Sequence, residues 1–365
     1  MTMVHGAAAG MRSAQELIAG AREVVVPRYQ AAVEDVPSEV RRLIGYHAGW
    51  WDLEGRPTRP NGRFLPSVMA LLCAQSGAGR LEEGPEGAKR GAVALSMMLD
   101  AVLLHDDVTD RDTGRRGRPA AWTQFGSGPA LYAGCVLYCT AVAELAGSPL
   151  LAEYNRAVRL MNEGQFMDTA AEERRDVTLD DYLDGARMRT GEALGTACVM
   201  GASAIGEPEE RLALYRTVGV NLGVCYQIRN DMIGIWSHEA EASGKAGRTD
   251  LSGRKRSGPV VAALTSGTDA GARLRDLYLR PEAFTSEETA LAVRLIEEAG
   301  GRDWAQTQLR RRAEEVDVAL TRLRPAAEDS GDLRTVVSAV ASPFTSSAWP
   351  GHPTEHAVDP ADDLR

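Results

Sequence analysis

A chain of 365 residues, 44% hydrophobic and 25% charged, is long enough to bury a sizeable core in one large domain or two. Its formal net charge of −10 leaves no basic face and argues against a nucleic-acid partner. No apolar run reaches the ~18 residues of a membrane span, and the N-terminus lacks a charged-then-apolar leader; the expectation is a cytoplasmic protein with no stable membrane insertion.

Helical periodicity dominates and strand alternation is scarce. Candidate helices cover 14–33, 36–52, 65–77, 87–107, 120–146, 149–173, 179–203, 207–239, 257–266, 284–299 and 302–323. Glycine- and proline-rich breakers separate them, and Thr178 with Asp181 forms a capping start for the helix at 179. No repeat and no linker divides the apolar pattern, so one all-α domain over 14–325 is expected, after a flexible N-terminus at 1–13. The tail at 340–365, with Pro343, Pro350, Pro353 and Pro360, reads as disordered. Cys73, Cys135, Cys139, Cys198 and Cys225 sit in apolar segments without paired spacing and read as buried, reduced thiols.

Chemistry concentrates at the end of the helix over 87–107, in Leu103-Leu104-His105-Asp106-Asp107-Val108-Thr109-Asp110-Arg111-Asp112. Asp106 and Asp110 share one helical face, with Asp107 beside them. Carboxylates this crowded repel unless a hard cation neutralises them, and Mg²⁺ with a phosphate-bearing substrate is the usual partner. Arg115 and Arg116 follow closely and suit phosphate oxygens. Taken alone, the motif also fits a solvated acidic helix end. A second polar set, Gln227-Ile228-Arg229-Asn230-Asp231-Met232-Ile233-Gly234, ends another long apolar helix. It is followed by Gly244-Lys245, Asp250-Leu251 and Gly253-Arg254-Lys255.

The order LLHDDxxDRDxxRR, Gly164-Gln165 with Asp168, Arg189-Thr190, QIRxD, GK, DL and GxK resembles the trans-isoprenyl diphosphate synthases over residues 20–325. Gly45 to Asp52 is similar to geranylgeranyl diphosphate synthase-like members from actinobacteria. The resemblance implies an isoprenoid synthase (class I terpenoid synthase) helical bundle around a central apolar cavity, working as a homodimer. It implies two acidic motifs facing each other across the cavity mouth, holding three Mg²⁺ against an allylic isoprenyl diphosphate. Asp106, Asp110 and Asn230 would then be metal ligands, and Asp107 and Asp231 would complete the catalytic motifs. Arg115, Arg116, Arg189, Gln227, Arg229, Lys245 and Lys255 would line the diphosphate side. Ala101, Val102 and Phe166 would border the hydrocarbon, with small residues at 101 and 102 leaving a deep cavity suited to a twenty-carbon chain, linear or bicyclic.

Departures from the family pattern are equally informative. Elongating members hold a second substrate, isopentenyl diphosphate, with a GGKxxRP segment and a histidine seven residues before the first aspartate. Here the segment reads Pro60-Asn61-Gly62-Arg63-Phe64-Leu65-Pro66, so Gly62, Leu65 and Leu99 stand at the three ligand positions. Losing charge-assisted contacts of roughly 1.5–3 kcal/mol each weakens such a site by orders of magnitude. The second acidic motif begins with Asn230 and ends with Gly234; its Asn-Asp start resembles the NDxxSxxxE motif of class I terpene cyclases, although His238 stands where glutamate belongs. The expectation is therefore a terpene cyclase that ionises one diphosphate and closes the cation on itself. The alternatives are a prenyl elongase with a remodelled acceptor site and a non-catalytic modulatory subunit. His105, and the group His47, Trp50 and Trp51, read as packing residues.

Overall fold

The structure is a computed structural model that describes residues 12–58, 64–75, 80–172, 174, 176–236, 251, 254–280, 284–323 and 331–341. In chain order its helices are α1 (Ala14–Ala32), α2 (Ser38–Ala48), α3 (Leu65–Cys73), α4 (Glu86–Thr109), α5 (Ala121–Phe125), α6 (Ser127–Glu144), α7 (Leu150–Glu172) and α8 (Leu179–Ala186). There follow α9 (Glu192–Ala204), α10 (Glu209–Trp236), α11 (Gly258–Leu264), α12 (Asp269–Tyr278), α13 (Ser286–Glu298), α14 (Gly301–Leu323) and α15 (Asp332–Ala341). Reciprocal capping boxes start α1 (Ser13 with Glu16), α8 (Thr178 with Asp181) and α13 (Thr285 with Glu288).

The apolar stretch of α4 from Ala92 to Met98 is fully enclosed, which fixes the helix that ends in the acidic motif. Around it α1, α3, α6, α7, α9, α10, α14 and α15 contribute to one main core containing Leu17, Tyr29, Met69, Leu95, Tyr154 and Leu222. A second cluster joins Ile235, Val260, Leu274 and Leu295, seating α11 to α13 against the end of α10. Helix α10 meets α9 and the residues just before it backbone to backbone. A Cβ at Gly219 would stand 2.2 Å from the Leu194 carbonyl oxygen, and one at Gly223 would stand 2.5 Å from that of Thr190. Only residues without a Cβ allow this approach.

The helix pattern changes in four places, the first being that the helix expected over 120–146 breaks at Gly126 into α5 and α6. The helix expected over 179–203 is interrupted by one π-turn, Arg187–Gly191, between α8 and α9. Helix α12 lies where none was expected. Helix α15 extends the folded region past residue 325 and into the expected tail, because Leu333, Val336, Val337 and Val340 repeat at helical spacing and enter the main core. Arg12 and Asp332 pair beside it. Residues 1–11 and 342–365 lie outside the described residues.

None of the five cysteines, all among the described residues, is in a disulfide; Cys73, Cys198 and Cys225 are buried, but Cys135 and Cys139 are exposed. The face of α6 that packs inward carries Ala130, Ala133, Leu137 and Ala141, which turns these two thiols outward. Among the described residues no helix is long and apolar enough to cross a membrane.

Candidate active site

Asp106, Asp107 and Asp110 close the C-terminal end of α4, and the chain turns back immediately through a small hairpin. Its strands, β1 (Gly114–Arg115) and β2 (Arg118–Pro119), pair antiparallel with Arg115 opposite Arg118. The two linking residues, Arg116 and Gly117, have φ of 56° and 77°, as a two-residue type I′ turn requires. The hairpin returns Arg115 to the acidic motif. Its Nε donates to Asp107 Oδ1 at 2.7 Å, its Nη2 contacts the same oxygen, and Nη2 lies 3.5 Å from Asp106 and 3.6 Å from Asp112. Buried Asp107 therefore orients Arg115.

Other walls converge on the same point. Gln165 of α7 donates to Asp106 Oδ1 at 2.6 Å, and Asp168, on the same face one turn later, accepts from Arg189 Nη1 at 2.5 Å. Arg189 stands on the π-turn, a widening of the helix often found at functional sites. Thr190 beside it donates to Gln227 Oε1 at 3.0 Å. Lys255 reaches in before α11 and places Nζ 3.6 Å from Asp110. Burial, reinforced by the neighbouring Asp110 charge, pushes the Asp106 carboxyl up to about 6 although Arg115, Lys255 and Arg189 pull it down. The resident cations thus do not fully compensate the acidic pair.

That pair fits Mg²⁺. Among the described residues no three His, Cys, Asp or Glu side chains converge as a ready metal cage. Mg²⁺, however, is usually held by one or two carboxylates together with substrate phosphates and water. Asp106 and Asp110 have the charge and the helical spacing for that role.

Several expected site residues have partners or surroundings other than those expected. Phe166 is 76% exposed, because it follows Gln165 by 100° around α7 and faces outward with Asn162 and Met167. Arg116 donates to the buried Asp100 carboxylate at 3.1 Å and to the His47 carbonyl at 3.0 Å, so it supports the fold beneath the hairpin. Arg229 is buried and donates to the Ala339 carbonyl, tying α10 to α15. Asp231 is also buried and accepts from Tyr182, Gln227 and the Gly258 amide. Ala101 is enclosed where α4 meets α6 at Gly134, whereas Val102 precedes Asp106 by one turn on its own face. Asn230 is half-buried on α10. Lys245, with Gly62, Asp250 and His238, lies outside the described residues.

Gln165 and Asp168 were quoted in the sequence pattern without a role, although their spacing puts both on one face of α7. Tyr182 and Asp100 were missed; an aspartate within the apolar run of α4, seven residues before Asp107, was the available signal. His105 packs as expected: its Nε2 lies 2.9 Å from the Leu131 carbonyl and its ring sits edge-on to Tyr138. Trp50 meets the rings of Tyr29 and Trp51 edge-on among the N-terminal helices, also as expected.

An all-helical bundle in which acids from one helix face guanidinium and ammonium groups from three other elements has the architecture of the isoprenoid synthases. The chain belongs to the polyprenyl synthetase family, whose model matches residues 57–296. It is 33% identical to a geranylgeranyl diphosphate synthase of Mycobacterium tuberculosis, over 87% of this chain and 90% of that protein. It is 31% identical to a (2E,6E)-farnesyl diphosphate synthase of Mycobacterium bovis, over 84% of this chain and 88% of that protein. The crystal structure of a polyprenyl synthetase from Streptomyces coelicolor A3(2) superposes with a TM-score of 0.81 at 30% identity, covering 90% of this chain and 99% of that one.

Proposed function

We propose that this chain ionises an allylic isoprenyl diphosphate and closes the resulting cation on itself, as a Mg²⁺-dependent terpene cyclase. Asp106 and Asp110 would hold Mg²⁺, which would supply Lewis-acid stabilisation of the leaving diphosphate. Gln165 holds Asp106 in place, and Asp107 holds Arg115 toward the same mouth. Arg115, Arg189 and Lys255 offer donors to the departing oxygens. Asn230 adds a neutral oxygen, and Lys245 is assigned to the same diphosphate by family resemblance. The apolar cavity that the family resemblance implies beyond Val102 would keep water from the cation.

The observation that carries cyclisation over transfer is the state of Arg116. Its guanidinium is engaged by the buried carboxylate of Asp100. The adjacent His47 is held neutral, since burial and Arg116 keep its imidazole well below the usual range. By family resemblance Arg116 neighbours the acceptor position; with its charge matched by buried Asp100, and leucines standing at ligand positions 65 and 99, it is a poor seat for a second diphosphate.

Elongation is the second reading, and the comparisons weigh on its side: the named relatives are synthases of geranylgeranyl and farnesyl diphosphate. One incubation series separates the readings. Allylic diphosphates of fifteen, twenty and twenty-five carbons are supplied with Mg²⁺, each with and without isopentenyl diphosphate. Release of a hydrocarbon or alcohol without the acceptor supports cyclisation, and acceptor-dependent formation of a longer diphosphate establishes elongation. No turnover in any arm leaves the modulatory subunit.

A further inference from the structure

We infer that Asp231 is a positioning residue for the diphosphate side of the site, acting through Lys255 and Gln227 rather than as a metal ligand. Its Oδ2 accepts the Tyr182 hydroxyl at 2.7 Å and the Gly258 amide at 3.0 Å, and its Oδ1 accepts Gln227 Nε2 at 2.9 Å. A carboxylate has about four lone-pair sites, and these contacts use three of them. The side chain is also buried, at 4% exposure. Little remains for a cation that keeps several waters and demands octahedral geometry.

What the contacts accomplish is the joining of α8, α10 and α11 at one point. Tyr182 is itself wedged edge-on against Trp304 of α14 at 5.8 Å. A Cβ at Gly258 would stand 2.6 Å from the Tyr182 ring and 2.7 Å from that of Trp304, so the bare backbone is what lets this amide reach Asp231. Gly258 follows Lys255 by three residues, a stretch spanning no more than ~10 Å. On the other side of Lys255, Arg254 lies over the Phe284 ring at 4.8 Å. Lys255 is thus strung between two anchors, one of which is Asp231. Through Gln227 the same carboxylate also fixes Thr190, beside Arg189.

The test is a double-mutant cycle read by calorimetry of magnesium pyrophosphate binding. It reads diphosphate binding alone and gives the same answer whether the later cation cyclises or is transferred. Asp231→Asn and Lys255→Ala are each expected to weaken binding about 10-fold, and the double variant about 10–20-fold instead of the ~100-fold of independent sites. Tyr182→Phe, a milder cut at the same point, is expected to weaken binding about 3-fold and to have no effect in the Lys255→Ala background. It carries the cycle if Asp231→Asn does not fold. Additive effects, or no effect of either variant, overturn the inference. So does a selective loss of Mg²⁺ affinity in Asp231→Asn, which makes Asp231 a ligand.

Discussion

Asp106→Asn is expected to stabilise the metal-free protein while abolishing its activity. Burial and the Asp110 charge raise the Asp106 carboxyl from 3.8 to about 6, and the gap at 1.36 kcal/mol per pH unit corresponds to about 3 kcal/mol. The sign follows from proton counting: between those two pH values the folded state binds more protons than the unfolded state, so ionisation opposes folding. The cost is absent below about pH 4, grows toward pH 6 and is fully present above it. An asparagine escapes that cost and still offers an oxygen to Gln165, now 2.6 Å from Asp106. At roughly 2.1 cal/mol/K per residue, an unfolding unit of this size moves its midpoint by about 4 °C for 3 kcal/mol. The assay is thermal unfolding in EDTA across pH 4–8, comparing variant with wild type. A variant advantage that grows between pH 4 and 6 supports the reasoning. A variant less stable at pH 8, or one whose advantage is the same at pH 4, refutes it, as would activity above about a tenth of wild type.

Isopentenyl diphosphate should show no saturable binding below millimolar concentration in calorimetry with Mg²⁺ and an unreactive allylic analogue; a micromolar Kd restores elongation. Val102→Phe, on the face of Asp106, should depress turnover of a twenty-carbon substrate more than of a fifteen-carbon one, and equal losses would show that 102 does not bound the cavity. Ala101→Phe, where α4 meets α6, should instead lower the unfolding midpoint by several degrees through overpacking. The family resemblance implies a homodimer, and Tyr132 on α6 and Phe166 on α7, 75% and 76% exposed, are expected in its seam; Tyr132→Glu with Phe166→Glu should then shift sedimentation from dimer to monomer.

Much of the fold was legible because α4, α9 and α10 bury long apolar stretches that only a core helix accounts for. The mouth was legible for a related reason: Asp106 and Asp110 declare a shared face by spacing alone, and charges at such density demand a counter-ion. The misreadings share another cause. Arg116, Arg229 and Asp231 are polar residues near a site, and sequence proximity does not say whether a side chain faces the site or the interior. The answer depended on partners distant in sequence, namely Asp100, Ala339 and Tyr182. Phe166 failed for a local reason that helical geometry could have supplied, since Gln165 and Asp168 had already claimed the inward face. The π-turn at Arg187–Gly191 has no residue signature, because one extra residue per turn leaves composition unchanged.

The contact of α10 with α9 and the π-turn, through Gly219 and Gly223, divides the site into a rigid half and an adaptable one. Two backbones at that distance cannot slide or separate to suit a different hydrocarbon, because there are no side chains between them to repack. On α4, Val102 shares the face of Asp106, and its rotamer and size can change without moving a helix axis. Product diversity among relatives of this chain should therefore be written on the α4 side, while substitutions along the α9–α10 contact should be tolerated only by giving up the register that brings Arg189 and Thr190 to the mouth.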